Sequence, residues 1–158
     1  MVNIREYQAR DRERLEECTL ELQEFEYVLE PDRIVGAAIA ARNVEDLVAT
    51  VAQERAQIFV VEVDGDVVGF VCVCIEHRED LYFSTLTDYG YVSDLVVLSS
   101  HRGQGYGTAL LQRAEEYARQ HGMTALKIQV LARNPQAISV YQHAGFRPYE
   151  LSLLKSLD

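Results

Sequence analysis

The sequence predicts a single α/β domain, an α+β sandwich in which a mixed central β-sheet carries helices on both faces. Three observations predict it. Strand-like and helix-like segments follow one another in the order β α α β β β α β α β. Asp64-Gly65 lies between two β-rich runs, the strongest short-range hairpin signal, because both central turn positions need positive φ. A strand ending in Leu95-Val96-Val97-Leu98 runs into a glycine-rich loop and then a helix.

Each element has its own signal. Residues 2–7 read as a short strand. Residues 10–29 read as a helix, with Leu15, Cys18, Leu22, Phe25 and Leu29 at helical spacing. A second helix covers about 43–55, after Pro31-Asp32 and the small-residue run from Gly36 to Ala41. Strands at 57–63 and 67–75 flank the Asp-Gly turn. A polar loop at 77–88 leads to the strand at 89–98. The helix at about 105–120 buries Leu110, Leu111, Ala114, Tyr117 and Ala118, and His121-Gly122 closes it. A strand at 125–131 follows. Asn134-Pro135 opens the next helix, with Asn as cap and Pro at the first helical position. Gly145 ends that helix, and 149–157 read as a final strand.

Composition limits the function. The 158 residues are 48% hydrophobic and 25% charged, so one globular domain over 1–158 is expected and whole-chain disorder is excluded. Lys and Arg total 15 against 25 Asp and Glu, a formal charge of −10. That balance argues against broad binding to nucleic acid or to an anionic membrane, which needs a basic face. It suits a cationic substrate, and equally a merely soluble surface. No apolar stretch is long enough for a membrane span, and Met1 to Glu6 lack the apolar core of a signal peptide. The three cysteines, Cys18, Cys72 and Cys74, form no disulfide framework, and no CxxC or HExxH is present. A reducing, cytoplasmic setting and no metal site are therefore expected.

The segment Ser93-Asp94-Leu95-Val96-Val97-Leu98-Ser99-Ser100-His101-Arg102-Gly103-Gln104-Gly105-Tyr106-Gly107-Thr108 carries the chemistry. A helix N-terminus offers unpaired N–H groups and the positive end of its dipole. Glycines let a backbone close on a ligand, and Arg102 adds a cation. Together these describe a phosphate or pyrophosphate cradle. No Lys follows the glycines as a P-loop requires, and Thr108 stands where the dinucleotide fingerprint wants its last glycine. A plain helix-capping turn would need fewer glycines.

Arg102-Gly103-Gln104-Gly105-Tyr106-Gly107 resembles the R/Q-x-x-G-x-G/A loop of the GNAT superfamily of N-acetyltransferases. Downstream, Asn134, Ala137, Tyr141, Gly145 and Phe146 are similar to that family's N-x-x-A-x-x-x-Y-x-x-x-G-F segment at its usual distance. The resemblance is specific over about 90–150 and consistent in element order before it. It implies a GNAT-like acyl-CoA N-acyltransferase fold, acetyl-CoA as donor and an amine as acceptor. It places backbone groups of Leu95, Val96 and Val97 beside the pantetheine arm, where N–H groups can stabilise an oxyanion. It assigns Arg102, Gly103, Gln104, Gly105, Tyr106, Gly107 and Thr108 to the pyrophosphate, and Asn134 to the pantetheine arm as well as to its cap.

Tyr141 follows Asn134 by seven residues on nearly the same helix face and is the expected general acid for the departing thiolate. An alkylamine with a pKa of about 10.4 arrives protonated and must lose a proton before attack. Asp94, just before the donor-binding residues, is the first candidate base, and Glu76 the second; a water chain with no dedicated base is the third route. Gln129 stands where relatives that acetylate peptide N-termini often carry Glu, and Gln cannot act as a base. Glu24, Glu26, Glu30 and Asp32, with Tyr27, Tyr89 and Tyr91, are expected on the acceptor side, either as a cation-attracting cluster or as a solvated helix face. After Phe146 there is room for one strand where many relatives have a hairpin; the open sheet edge this leaves leads to the expectation of a homodimer. The favoured reading is direct acetyl transfer to a small cationic amine. The alternatives are a protein or peptide amine acceptor, a non-catalytic acyl-CoA binding module, and a nucleotide-binding domain of another class.

Overall fold

Asp64 and Gly65 take φ values of 52° and 94°, the paired left-handed conformations that an Asp-Gly hairpin turn requires. They join β2 (Ala56–Val63) to β3 (Asp66–His77). Around this hairpin the computed structural model, which describes residues 1–53, 55–79 and 82–157, builds a five-stranded sheet. β1 (Val2–Glu6) lies outside β2, β4 (Asp88–Val97) follows β3, and β5 (Leu126–Ile128) follows β4. All pairings are antiparallel except that of β4 with β5, so the sheet is mixed, as expected.

Four helices cover the two faces. α1 (Arg12–Leu29) and α2 (Ala37–Ala52) bury Leu15, Cys18 and Val44 against Ile58, Val60, Phe70, Cys72 and Val96. α3 (Tyr106–Gln120) buries Leu110, Leu111 and Ala114 against Phe59, Val61, Val71, Val73 and Val92. α4 (Pro135–His143) adds Tyr141 at the margin of this second core. The alternation of β2 and β3 thus feeds two cores, which is why these strands read as unbroken apolar runs.

Two glycines permit close approach between elements. A Cβ at Gly69 would stand 2.5 Å from the Val96 carbonyl oxygen, and one at Gly90 would stand 2.8 Å from both Ala118 Cβ and Leu126 Cδ1. At the far end of the sheet, Arg5 donates to Asp11 at 2.7 and 2.9 Å and to Glu62 at 2.5 and 3.0 Å, with little of any of the three side chains exposed. This cluster ties β1 and β2 to the turn of 3-10 helix at Ala9–Asp11 that precedes α1.

Several expected boundaries move. The second helix begins at Ala37, not near 43: Ile39 and Ala40 donate to the Gly36 carbonyl, and the small-residue run, placed before the helix, is alanine-rich and has the highest helix propensity available. Its expected tip near 55 stops at Ala52, and Glu54 is outside the described residues. The polar loop shortens to 78–87 because β3 and β4 both extend, and Asp80 and Leu81 within it are outside the described residues. The strand expected at 125–131 keeps only Leu126–Ile128. The strand expected at 149–157 does not form: no described residue from Ala144 onward is helix or strand. Period-two patterning makes a segment competent to pair, but a strand also needs a neighbouring edge, and this segment runs away from the sheet.

Candidate active site

β4 and β5 pair only at Gly90–Leu126, Tyr91–Lys127 and Val92–Ile128, and then part. Beyond Val92, β4 keeps its ladder with β3 alone. Leu98 donates to the carbonyl of its opposite residue, Val68, at 2.9 Å. Hydrogen-bonded pairs alternate along an antiparallel ladder, so Val96 and Asp94 also bond to β3, while the main-chain groups of Leu95 and Val97 point into the gap. Arg102 supports this geometry, since its Nε donates to the Val97 carbonyl at 3.0 Å. Of the three residues expected along the donor arm, Leu95 and Val97 offer backbone N–H groups to the gap. Val96 faces β3 and buries its side chain among α1 and α2.

The glycine-rich loop closes one end of the gap. Gly103 and Gly105 take φ values of 75° and 83°, which side chains with a Cβ adopt only under strain. Gly105 is the N-cap of α3 and provides no side chain to bond the first-turn amides of Tyr106, Gly107 and Thr108. A Cβ at Gly107 would meet no atom within 4 Å, so the space before the helix is open. A pyrophosphate fits this N-terminus. The Gln104 side chain accepts from the Tyr106 hydroxyl at 3.0 Å. The Arg102 guanidinium turns back over the Phe25 ring and approaches Glu21 at 3.4 Å, and Glu21 also accepts from the Ser99 N–H at 2.6 Å. Arg102 thereby joins the loop to α1 as well as adding positive charge beside it.

Between the start of α3 and α4 lies a cavity of about 220 Å³, lined by Thr108, Ser139, Val140, His143 and Ala144. Thr108 was expected at the pyrophosphate. The α4 residues were not, although Ser139, Val140 and His143 recur at helical spacing on the helix that Asn134 opens. Asn134 Oδ1 accepts from Ala137 N–H at 3.1 Å, so its cap role is present, and its amide hydrogens remain for a ligand. The aromatic ring of Tyr141 packs edge-on against Phe146, at 6.0 Å between centroids.

The carboxylates approach from the other face. A bulge shifts the β3–β4 register between Val73–Val92 and Cys72–Asp94, with Ser93 as the extra residue. Asp94 then faces α1 opposite Cys72. Burial raises its pKa above the ordinary carboxylate value; the Ser93 hydroxyl opposes this and the Glu26 charge adds to it. Glu26 is itself raised by burial, with Arg33 opposing. Tyr141 is pushed up to about 12 by burial and then by the same Glu26 charge. Glu26 is therefore near enough for its charge to raise both Asp94 and Tyr141. Glu24, Glu30 and Asp32 are not among the groups acting on Asp94 or Tyr141. Glu76 lies on the same β3 face as Cys72 but four residues further on, roughly 13 Å away by strand rise. The Tyr91 hydroxyl donates to Gln129 Oε1 at 3.1 Å, a side-chain bridge from β4 to β5.

Among the described residues there is no group of three His, Cys, Asp or Glu that could hold a metal, and no helix long and apolar enough to cross a membrane.

The model of the acetyltransferase (GNAT) family matches residues 4–146. The chain is 34% identical over 96 residues to the N-alpha-acetyltransferase of Sulfurisphaera tokodaii, covering 59% of this chain and 58% of that protein. It is 31% identical over 103 residues to the aminoglycoside N(6')-acetyltransferase type 1 of Klebsiella aerogenes, covering 65% of this chain and 66% of that protein. The match to an N-acetyltransferase of Bacillus subtilis spans only 26% of that protein, so the chain covers less than two thirds of several curated relatives. A tetramutant of a Bacillus halodurans protein superposes with a TM-score of 0.88 at 20% identity, over 98% of this chain and 99% of that one. That likeness confirms the fold.

Proposed function

Because the chain belongs to the acetyltransferase (GNAT) family, we propose that it is an acetyl-CoA-dependent N-acetyltransferase that moves the acetyl group directly to a small cationic amine. The observation that carries this reading is the gap between β4 and β5. It exposes the Leu95 and Val97 amides between a helix N-terminus suited to a diphosphate and two half-buried acids, Asp94 and Glu26, suited to an amine.

In this reading Gly103, Gly105 and the first-turn amides through Thr108 hold the diphosphate, with Arg102 and Gln104 fixing the loop. Asn134 bonds the pantetheine arm, and the Leu95 or Val97 N–H faces the thioester oxygen. Asp94 takes one proton from the incoming ammonium, aided by its raised pKa, and passes it to water. The freed nitrogen attacks the carbonyl carbon, and the amides stabilise the developing oxyanion. Tyr141, still protonated at neutral pH, donates to the departing sulfur and recovers a proton from the new amide nitrogen. One proton thus goes to solvent and one to the thiol. Glu76 serves as an outer carboxylate that attracts the cation.

The Glu26 charge acting on Asp94 supports a cationic acceptor, since carboxyls whose pKa is raised by burial and by like charge are relieved by a positive charge. The Klebsiella relative is named for an aminoglycoside, a polyamine-like acceptor, in keeping with this class. The Sulfurisphaera relative is named for N-alpha acetylation, but Gln129 here is engaged by Tyr91 and has no basic atom to offer a peptide N-terminus. The setting is the cytoplasm, in keeping with three free cysteines, two of them facing the site. The enzyme works as a homodimer.

The test is thiol release from acetyl-CoA against a panel of polyamines, aminoglycosides, amino acids and peptides, with initial rates varied in both substrates. Intersecting double-reciprocal lines with a cationic amine are expected. Donor binding without turnover on any amine would favour the non-catalytic module, and parallel lines would exclude direct transfer.

A further inference from the structure

Lys127 sits on β5 opposite Tyr91 of β4, and Tyr91 sits opposite Cys74 of β3. Opposite residues project to one face, so Lys127 and Tyr91 share the sheet face that holds Asp94, opposite Cys72. α1 and α2 cover this face over β2, β3 and Val96, and the core they build takes no residue from β5. The floor around Tyr91 and Lys127 lies beyond the helices, and both side chains are half-buried.

The Lys127 ammonium has no hydrogen bond among the described residues. Its side chain is 23% exposed, and its ion-pair partner, Glu150 Oε1, is 3.6 Å away on a side chain 74% exposed. The Tyr89 and Tyr149 ring centres lie 4.6 and 4.7 Å from Nζ, and Arg147 lies 5.4 Å from the same Tyr149 ring. The rings hold the cation in place but take none of its three donors, and a largely solvated ion pair contributes little. An ammonium enclosed in this way, with its donors unspent, is a receptor for an anion. The opposite charge stands across the same face. Strand geometry sets the Asp94 and Lys127 backbones roughly 8–11 Å apart, allowing for the bulge at Ser93.

We propose that Lys127 binds a carboxylate of the amine substrate while Asp94 receives its amine, so that the substrate is a diamino acid acetylated on its side-chain nitrogen. This rests on the acetyl-transfer reading above and narrows it. The charges match: a carboxylate for Lys127, and two ammonium groups for Asp94 and for the Glu26 charge that acts on it. The separation of Asp94 and Lys127 exceeds what an α-amine and its own carboxylate span, which selects the amine further along the chain. Glu150 gives way at little cost, since it lies mostly in water.

Titration calorimetry with CoA present compares lysine and ornithine with cadaverine and putrescine, the same chains without the carboxylate. The wild type should bind each diamino acid at least about tenfold tighter than its diamine. Lys127→Met keeps the stem between the rings; it should abolish that ratio and leave the diamine Kd within about twofold. Glu150→Gln, a change on an exposed side chain, should preserve or raise the ratio. Mass spectrometry of the product should place the acetyl group on the side-chain nitrogen. Equal wild-type affinity for diamino acid and diamine, a ratio that survives Lys127→Met, or acetylation of the α-nitrogen overturns the proposal. Thiol release with the diamines and none with the diamino acids also overturns it and leaves the transfer reading standing. Carboxylate-dependent binding that Lys127→Met abolishes, with no thiol release from any amine, supports the subsite and overturns the transfer reading instead.

Discussion

Asp94 stands opposite Cys72 immediately past the bulge at Ser93, and the bulge is what brings this carboxyl to face α1, within reach of the Glu26 charge. The carboxyl is half-buried and acts as a base only when ionised. Its raised pKa places the rising limb of kcat/KM above the ordinary carboxylate range. Asp94→Asn should remove that limb and lower kcat/KM by about 100-fold or more. A pH–rate profile from pH 4 to 9 for both proteins checks this.

The same shift has an opposite sign in stability. A carboxyl whose folded pKa lies above its unfolded pKa makes the fold less stable as pH rises from the unfolded to the folded value, and the loss persists at neutral pH. Asp94→Asn should therefore melt higher than the wild type at pH 7, by an amount on the order of 1 kcal/mol, with the difference vanishing near pH 3. Thermal melts at the two pH values measure it.

Tyr141→Phe should lower kcat by about 100-fold while leaving the Kd for CoA within about twofold. The hydroxyl, at about 12, contributes no falling limb below pH 10. Equal turnover of variant and wild type across the pH range would remove Tyr141 from the mechanism.

Gly107→Val tests the donor cradle. The new side chain meets no protein atom within 4 Å at its Cβ, so the melting temperature should change little. It fills the space in front of the α3 amides, so CoA should bind more than tenfold weaker, about 1.4 kcal/mol. Titration calorimetry with CoA reads the loss directly.

Asp11→Asn should destabilise the fold by about 3 kcal/mol, because Arg5 keeps only Glu62. Burial works against the Asp11 carboxylate, but the Arg5 and Gln8 hydrogen bonds prevail and hold its pKa below the ordinary value. Its contribution is present above the unfolded carboxylate pKa and is lost as pH falls through the lower folded value. Urea melts at pH 7 and pH 3 should show the variant and wild type converging in acid.

The elements that position the site were legible because local chemistry specifies them. Asp64-Gly65 sets its own turn, Gly103 and Gly105 fit a loop only they can make, and Asn134-Pro135 starts α4 as written. The start of α2 was placed too late because the small-residue run from Gly36 to Ala41 was set outside the helix, whereas its alanines form helix. What depended on neighbours was not legible. The bulge at Ser93 leaves no mark in a period-two pattern, and the segment at 149–157 has the right pattern but forms no strand. Tyr141 and Asp94 could be nominated from sequence, but singling out Glu26 from the four acids required knowing which one acts on them electrostatically.

The gap between β4 and β5 presents peptide groups, not side chains, to the acyl carrier. Evolution can therefore rewrite Leu95 and Val97 among apolar residues without disturbing the shared half-reaction. Acceptor choice, in the proposed reading, would rest instead on the acids along α1 and at the bulge. If that reading holds, laboratory libraries aimed at a new amine should begin with those positions.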